Sequence, residues 1–212
     1  MLFLSLNICL LSSNIKYYYV NVSSEVSQMS DMYKVTEVLS KIFQIICFIG
    51  AVGTLIIGIF LFASKDPMNA FDMEDRLINA CGMAVYVYEP DSEVAAHVIG
   101  AMNFVYSVLL VLLGMIFRNV SLIAGTAKGK TWFSKGETPF QEDVVRMVRE
   151  IGIFLIAIYI VGLIGTLVAR LISENVESSN TMVMLVIGII VICLSKIFEY
   201  GQKLEEDQEG LI

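Results

Sequence analysis

Four long apolar runs, each bounded by charged residues, constrain this chain more than any other feature. Residues 42–64 lie between Lys41 and Lys65 and carry no charged side chain. At about 1.5 Å per residue, a helix of that length covers roughly 34 Å, enough for a hydrocarbon core of about 30 Å. Residues 96–117 make the second run, which ends on Arg118 and contains His97, Asn103 and Ser107 but no full charge. The third, residues 151–169, follows Arg149 and Glu150 and stops at Arg170. The fourth, residues 182–198, reaches spanning length once Lys196 snorkels toward the headgroups. With 57% hydrophobic and 17% charged residues, the chain has too little charge to cover a water-facing surface. The expected fold is an all-α membrane protein: a four transmembrane helix bundle with cytoplasmic termini and a 30-residue extracellular loop.

Sidedness follows from the basic residues. An even number of spans puts both ends on one side. Leaving aside Lys16 in the N-terminal segment, Lys34, Lys41, Arg118, Lys128, Lys130, Lys135, Arg146, Arg149, Lys196 and Lys203 fall on that side, against Lys65, Arg76 and Arg170 on the other. The excess of Lys and Arg marks the cytoplasmic face, so residues 65–95, with seven acids, are expected outside. A formal net charge of -7 and the lack of a concentrated basic patch argue against direct nucleic-acid binding.

Residues 1–31 stand apart from the four-span domain, residues 32–212. The segment MLFLSLNICLL is apolar but lacks the basic start and small-residue cleavage site of a signal peptide, and NIKYYYVNVSS has no persuasive helix or strand pattern. The expectation is a translation start at Met29 or Met32; the alternative is a short amphipathic tail lying on the membrane. In the outer loop, the alternation of MAVYVYE reads as a strand or hairpin arm that caps the bundle. Between the second and third spans, SLIAGTAKGKTWFSKGE suits an interfacial turn with Trp132 and Phe133 at headgroup depth. A helix is then expected from Pro139, capped by Thr138, with Gln141 completing a capping box and Glu142 and Asp143 opposing its positive end. Val144, Val148 and Ile151 share one face, and the helix runs unbroken into the third span. After Phe198, Gly201 is expected to break or bend the fourth helix before the acidic run Glu205, Glu206, Asp207 and Glu209.

Chemistry is sparse. Neither a nucleophile elbow, a phosphate loop nor a metalloprotease motif is present, and one His cannot staff a triad, so no enzyme is expected. Four dispersed cysteines without a C-x-x-C pair support no zinc site or disulfide framework, and no cofactor is expected. Cys47 and Cys193 read as small packed hydrophobes, with Cys81 facing outside. Within the second span, Asn103, Tyr106 and Ser107 share roughly one face and require partners on a neighbouring helix. Interhelical hydrogen bonding outweighs an ion path, since the only full charge in any span is Lys196 near one end. Gly50, Thr54 and Gly58 recur every four residues, as do Gly165 and Ala169, which permits close helix approach within one chain or in a homo-oligomer.

Two segments carry a resemblance. GETPFQEDVVRMVREIG before the third span and FEYGQKLEED after the fourth are similar to the corresponding parts of a bacterial four-helix membrane family, the domain of unknown function 2975. The likeness covers the chain from about Met32 onward. It departs at the tail, where Asp207 is followed by Gln208, Glu209, Gly210 and Leu211 rather than an acidic residue leading into Thr-Leu. The resemblance implies a genomic context beside a small helix-turn-helix regulator of the Xre type, and brings no catalytic residues. The expectation is a membrane partner or sensor that modulates such a regulator, with Pro139, Phe140, Arg146, Arg149, Glu205, Glu206 and Asp207 as candidate contacts. The alternative is a small transporter, or an export or peptide-immunity component, which the scarcity of intramembrane charge and of broken helices disfavours.

Overall fold

A computed structural model describes the backbone over residues 2–63, 77–80, 83–87, 92–127, 131 and 141–209, with side chains of the first helix described from Asp31 on. The order is α1 (Leu2–Ala63), β1 (Leu77–Ala80), β2 (Met83–Val87), α2 (Ser92–Thr126), α3 (Glu142–Ile172), β3 (Val176–Asn180) and α4 (Val183–Glu209). Each helix contains a stretch long and apolar enough to cross a membrane: Asp31–Ala63, Ala96–Thr126, Glu142–Ile172 and Val183–Leu204. Away from the helix ends, the backbone polar groups of such a stretch are satisfied within the helix, which is the condition for living in hydrocarbon.

The helices outrun the apolar runs that define them. α1 includes NIKYYYVNVSS, which has no helical pattern of its own; elongating an existing helix needs far less than nucleating one. α2 continues past Arg118 through SLIAGT, so the first part of the expected interfacial turn is helical. Trp132, Phe133, Thr138, Pro139 and Phe140 lie outside the described residues. α3 starts at Glu142 with Gln141 as its N-cap, three residues later than the expected start at Pro139; the expected capping box depends on Thr138, which lies outside the described residues. Glu142 and Asp143 do occupy the first turn. The buried stripe there is Val144, Val145 and Met147, shifted from the expected one, with Val148 and Ile151 half-buried. Gly201 does not interrupt α4, which stays helical to Glu209.

Neighbouring helices run antiparallel. Along α1 and α2, Phe43 stacks on Phe117 at 5.2 Å between ring centroids, and Phe62 meets His97 at 5.3 Å near the other end. Between them, Gly58 and Gly100 bring the backbones together: a Cβ on Gly58 would sit 3.2 Å from the Gly100 carbonyl oxygen. α2 and α3 meet at Val105 against Gly165, where an added Cβ would lie 2.7 Å from a Val105 methyl. α3 and α4 cross at a reciprocal pair. A Cβ on Gly152 would lie 2.9 Å from the Gly188 carbonyl oxygen, and one on Gly188 2.9 Å from that of Gly152. Small residues allow this approach, and dispersion between packed backbones is what holds helices together in lipid. The Gly50, Thr54 and Gly58 stripe and the Gly165 and Ala169 pair thus serve contacts within the chain.

Substantial interfaces join α1 to α2, α2 to α3 and α3 to α4, with no comparable one between other helix pairs among the described residues. The four helices therefore stand side by side in chain order. α2 and α3 are the inner members, with 50% and 22% of their most apolar stretches buried, whereas α4 is an edge with 11%. Cys47 is buried as expected, but Cys193 is exposed on α4, because the edge helix has only one packed face.

One end of the bundle is closed by a three-stranded antiparallel sheet in the order β1-β2-β3. Ala80 pairs with Met83, leaving only Cys81 and Gly82 to connect the first two strands. The alternation in MAVYV resolves into Met83 and Val85 buried at 1% and 0% exposure, with Tyr86 turned outward. Both buried residues join Leu61, Val98, Met102 and Tyr106 in the main core. β3 has little strand propensity in its sequence, VESSN; it forms because β2 offers a partner edge, with Val85 opposite Ser178 and Val87 opposite Val176. Asn180 fixes the end of β3 to α3 by donating from Nδ2 to Thr166 Oγ1 at 3.1 Å.

Candidate functional site

Polar groups collect in two places, the middle of α2 and the helix ends opposite the sheet. In the middle of α2, Ser107 donates to the Ala51 carbonyl of α1 at 3.0 Å, and Thr54 Oγ1 donates to the same oxygen at 3.1 Å. Asn103 faces α1 as well, beside Gly58, but its Nδ2 donates to the Ile99 carbonyl of its own helix at 2.9 Å. Tyr106 lies one step around the helix in the core stripe of Met102 and Leu109. The three residues therefore divide between two faces, and Ser107 makes a hydrogen bond from α2 to α1. A Ser hydroxyl serving a carbonyl of a packed helix is glue, worth about 0.6 kcal/mol on average in a bilayer.

At the other end, α2, α3 and α4 bring charge together. Between α2 and α3 is a cleft of about 540 Å³, lined by Arg118, Asn119, Asp143, Arg146 and Glu150, with Leu122 and Met147 as its apolar walls. Asn119 is 2% exposed and donates from Nδ2 to Glu150 Oε2 at 3.0 Å. This bond ties the two helices together and fixes the carboxylate at the cleft. Arg146 reaches Asp143 Oδ1 at 3.2 Å and Glu150 Oε1 at 3.8 Å, both on its own helix and both at helical spacing. Arg118 lines the same cleft without an ion pair to any described residue.

On the α4 side, Glu199 is a hub. Lys196 Nζ lies 2.9 Å from its Oε2, Arg149 Nη2 3.5 Å from the same oxygen, and Lys203 Nζ 3.5 Å from Oε1. The Arg149 contact joins α3 to α4. All four side chains keep substantial exposure, so each pair is worth only about 0.2–1 kcal/mol and weakens with salt.

The sequence candidates are thus brought to one end but not to one point. Arg146 belongs to the α2–α3 cleft, and Arg149 to the Glu199 hub. Glu205, Glu206 and Asp207 continue along α4 beyond that hub, Asp207 being exposed. No hydrogen bond or ion pair joins Asp207 to Arg146 or Arg149. Arg118, Asn119, Glu150 and Glu199 were not sequence candidates. The available signal was Asn119 itself, an amide close to the end of a span, which needs a partner wherever it is buried.

Among the described residues no three His, Cys, Asp or Glu converge as a metal site. What the arrangement offers is binding: two guanidiniums and two carboxylates around a cleft, and a charged rim across three helices. Compared with family models, with curated proteins and with solved structures, the chain matches none.

Proposed function

We propose that this multi-pass membrane protein has both ends in the cytoplasm and acts by contact with a soluble partner, without catalysis. The partner is a small DNA-binding regulator of the helix-turn-helix class, held or released at the charged ends of α3 and α4. One observation carries the reading: α4 does not end with its apolar stretch but continues as a helix through Glu205, Glu206, Asp207 and Glu209. Acids gathered in the last turns of a helix concentrate negative charge, which complements the basic face such a regulator turns to DNA and competes with DNA for it. The ten Lys and Arg gathered at this end against three at the other support its cytoplasmic placement. The likeness of GETPFQEDVVRMVREIG and FEYGQKLEED to the domain of unknown function 2975 family supports the choice of partner, and we propose membership of that family on the same segments.

The test is co-purification from detergent-solubilised membranes of the tagged full-length chain with a helix-turn-helix protein encoded beside it. The regulator is expected to be retained at low salt and released as ionic strength rises. Its retention is expected to fall when Glu205, Glu206 and Asp207 are replaced by their amides. Recovery of the protein with no such regulator under gentle, low-salt conditions overturns the proposal.

A further inference from the structure

We propose that the cleft between α2 and α3 is a binding site for a zwitterionic phosphoethanolamine group, supplied by a phospholipid of the surrounding leaflet. Its lining explains the choice. Two guanidiniums, Arg118 and Arg146, face two carboxylates, Asp143 and Glu150, so a ligand of either pure sign meets repulsion as well as attraction. A phosphate carrying its own ammonium can set each charge against the opposite sign.

The parts are not equivalent. Arg146 is held by both carboxylates, whereas Arg118 has no ion pair with a described residue and is the guanidinium available to a phosphate. Glu150 is fixed by the bond from buried Asn119, and each of its oxygens retains a lone pair for an ammonium N–H. A volume of about 540 Å³ accommodates such a headgroup with its glycerol. Arg118 follows the last apolar residues of the second run, Ile116 and Phe117, so the cleft lies at headgroup depth when residues 96–117 span the hydrocarbon. Leu122 and Met147 add apolar walls. Basic pockets between helices at this depth are a recurrent mode of lipid recognition; here paired acids change the preference from anionic to zwitterionic.

The chemistry separates close relatives. A choline headgroup has the same charge but no N–H to donate to Glu150 or Asp143, and a glycerol headgroup has no cation. Native mass spectrometry of the full chain, released from detergent with phosphatidylethanolamine, phosphatidylcholine or phosphatidylglycerol of matched acyl chains, reads the preference directly. Ethanolamine lipid adducts are expected to exceed the other two about tenfold, the scale of one charge-assisted hydrogen bond. Arg118→Gln is expected to reduce them about tenfold while leaving the circular dichroism spectrum unchanged. Glu150→Gln, which keeps an acceptor for Asn119, is expected to erase the preference over the choline lipid. Arg170→Gln, on the other end of α3, is expected to change nothing. Soluble O-phosphoethanolamine that displaces the bound lipid supports the same site with a free zwitterion as its source. Equal retention of the three lipids, or undiminished ethanolamine adducts in a folded Arg118→Gln protein, overturns the proposal.

Discussion

The two ends of this bundle differ in what is added to their apolar packing: a sheet at one, a rim of charge at the other. At the sheet end, Met83 and Val85 insert between the helices and are almost wholly removed from solvent, alongside Leu61, Val98 and Met102. Across the far end, the Arg149 to Glu199 ion pair and the Asn119 to Glu150 bond join helices above the buried Val144, Val145 and Met147, and most of the charged side chains are well exposed. Apolar burial is worth about 1.5–3 kcal/mol per large side chain, and an exposed ion pair a fraction of that. The lesson is a division of labour. Buried apolar packing fixes the arrangement of the helices, and the exposed charged rim at the far end is left adjustable, with groups that can exchange partners at small cost.

Substitutions sharpen or break this contrast. The largest effect is expected from Val85→Asp, which places a carboxylate at a site of 0% exposure with no cation among the buried neighbours. A loss of about 3–5 kcal/mol, enough to abolish the cooperative unfolding transition in detergent, is expected. Met83→Ala follows, at about 2–5 kcal/mol by the same thermal unfolding measurement. Next is Gly152→Ala. Its Cβ would meet Ile192 Cγ1 at 2.6 Å and the Gly188 carbonyl oxygen at 2.9 Å, so α3 and α4 must move apart. Overpacking of this kind costs about 1–3 kcal/mol. A cysteine crosslink across the α3–α4 interface should also form more slowly in that variant.

The smallest effects belong to single polar contacts. Ser107→Ala removes one bond to the Ala51 carbonyl and is expected to cost about 0.6 kcal/mol. Glu199→Gln dissolves the hub of Arg149, Lys196 and Lys203, yet less than about 1 kcal/mol of stability should go with it, and less still in high salt. A loss from Glu199→Gln equal to that from Met83→Ala would show that the charged end is structural after all.

Much of the helical frame was legible in the sequence, for a physical reason: hydrocarbon tolerates few ways of writing a span, so length and absence of charge suffice. β2 was legible too, because Met83, Val85 and Val87 alternate with smaller or outward residues. β3 was not, since nothing in VESSN favours a strand until β2 supplies an edge. The Gly50, Thr54 and Gly58 spacing announced close packing, but the tightest crossing uses Gly152 and Gly188, single glycines in different spans that no spacing within one helix connects. The cleft was missed for the same cause. Its key bond joins Asn119 to Glu150 across two helices, and Asn119 lies beyond Arg118, outside the apolar run of residues 96–117. Gly201 shows the reverse error: a residue that weakens helices locally is carried through by the apolar helix before it.

All of this depends on the four apolar helices having lipid as their solvent. The most direct measurement is alkaline carbonate extraction of membranes containing the full-length protein, followed by ultracentrifugation with and without detergent. Four spanning helices require the protein to stay in the pellet through carbonate and to enter the supernatant only when detergent is added. Release of the intact chain into the carbonate supernatant without detergent would contradict the account.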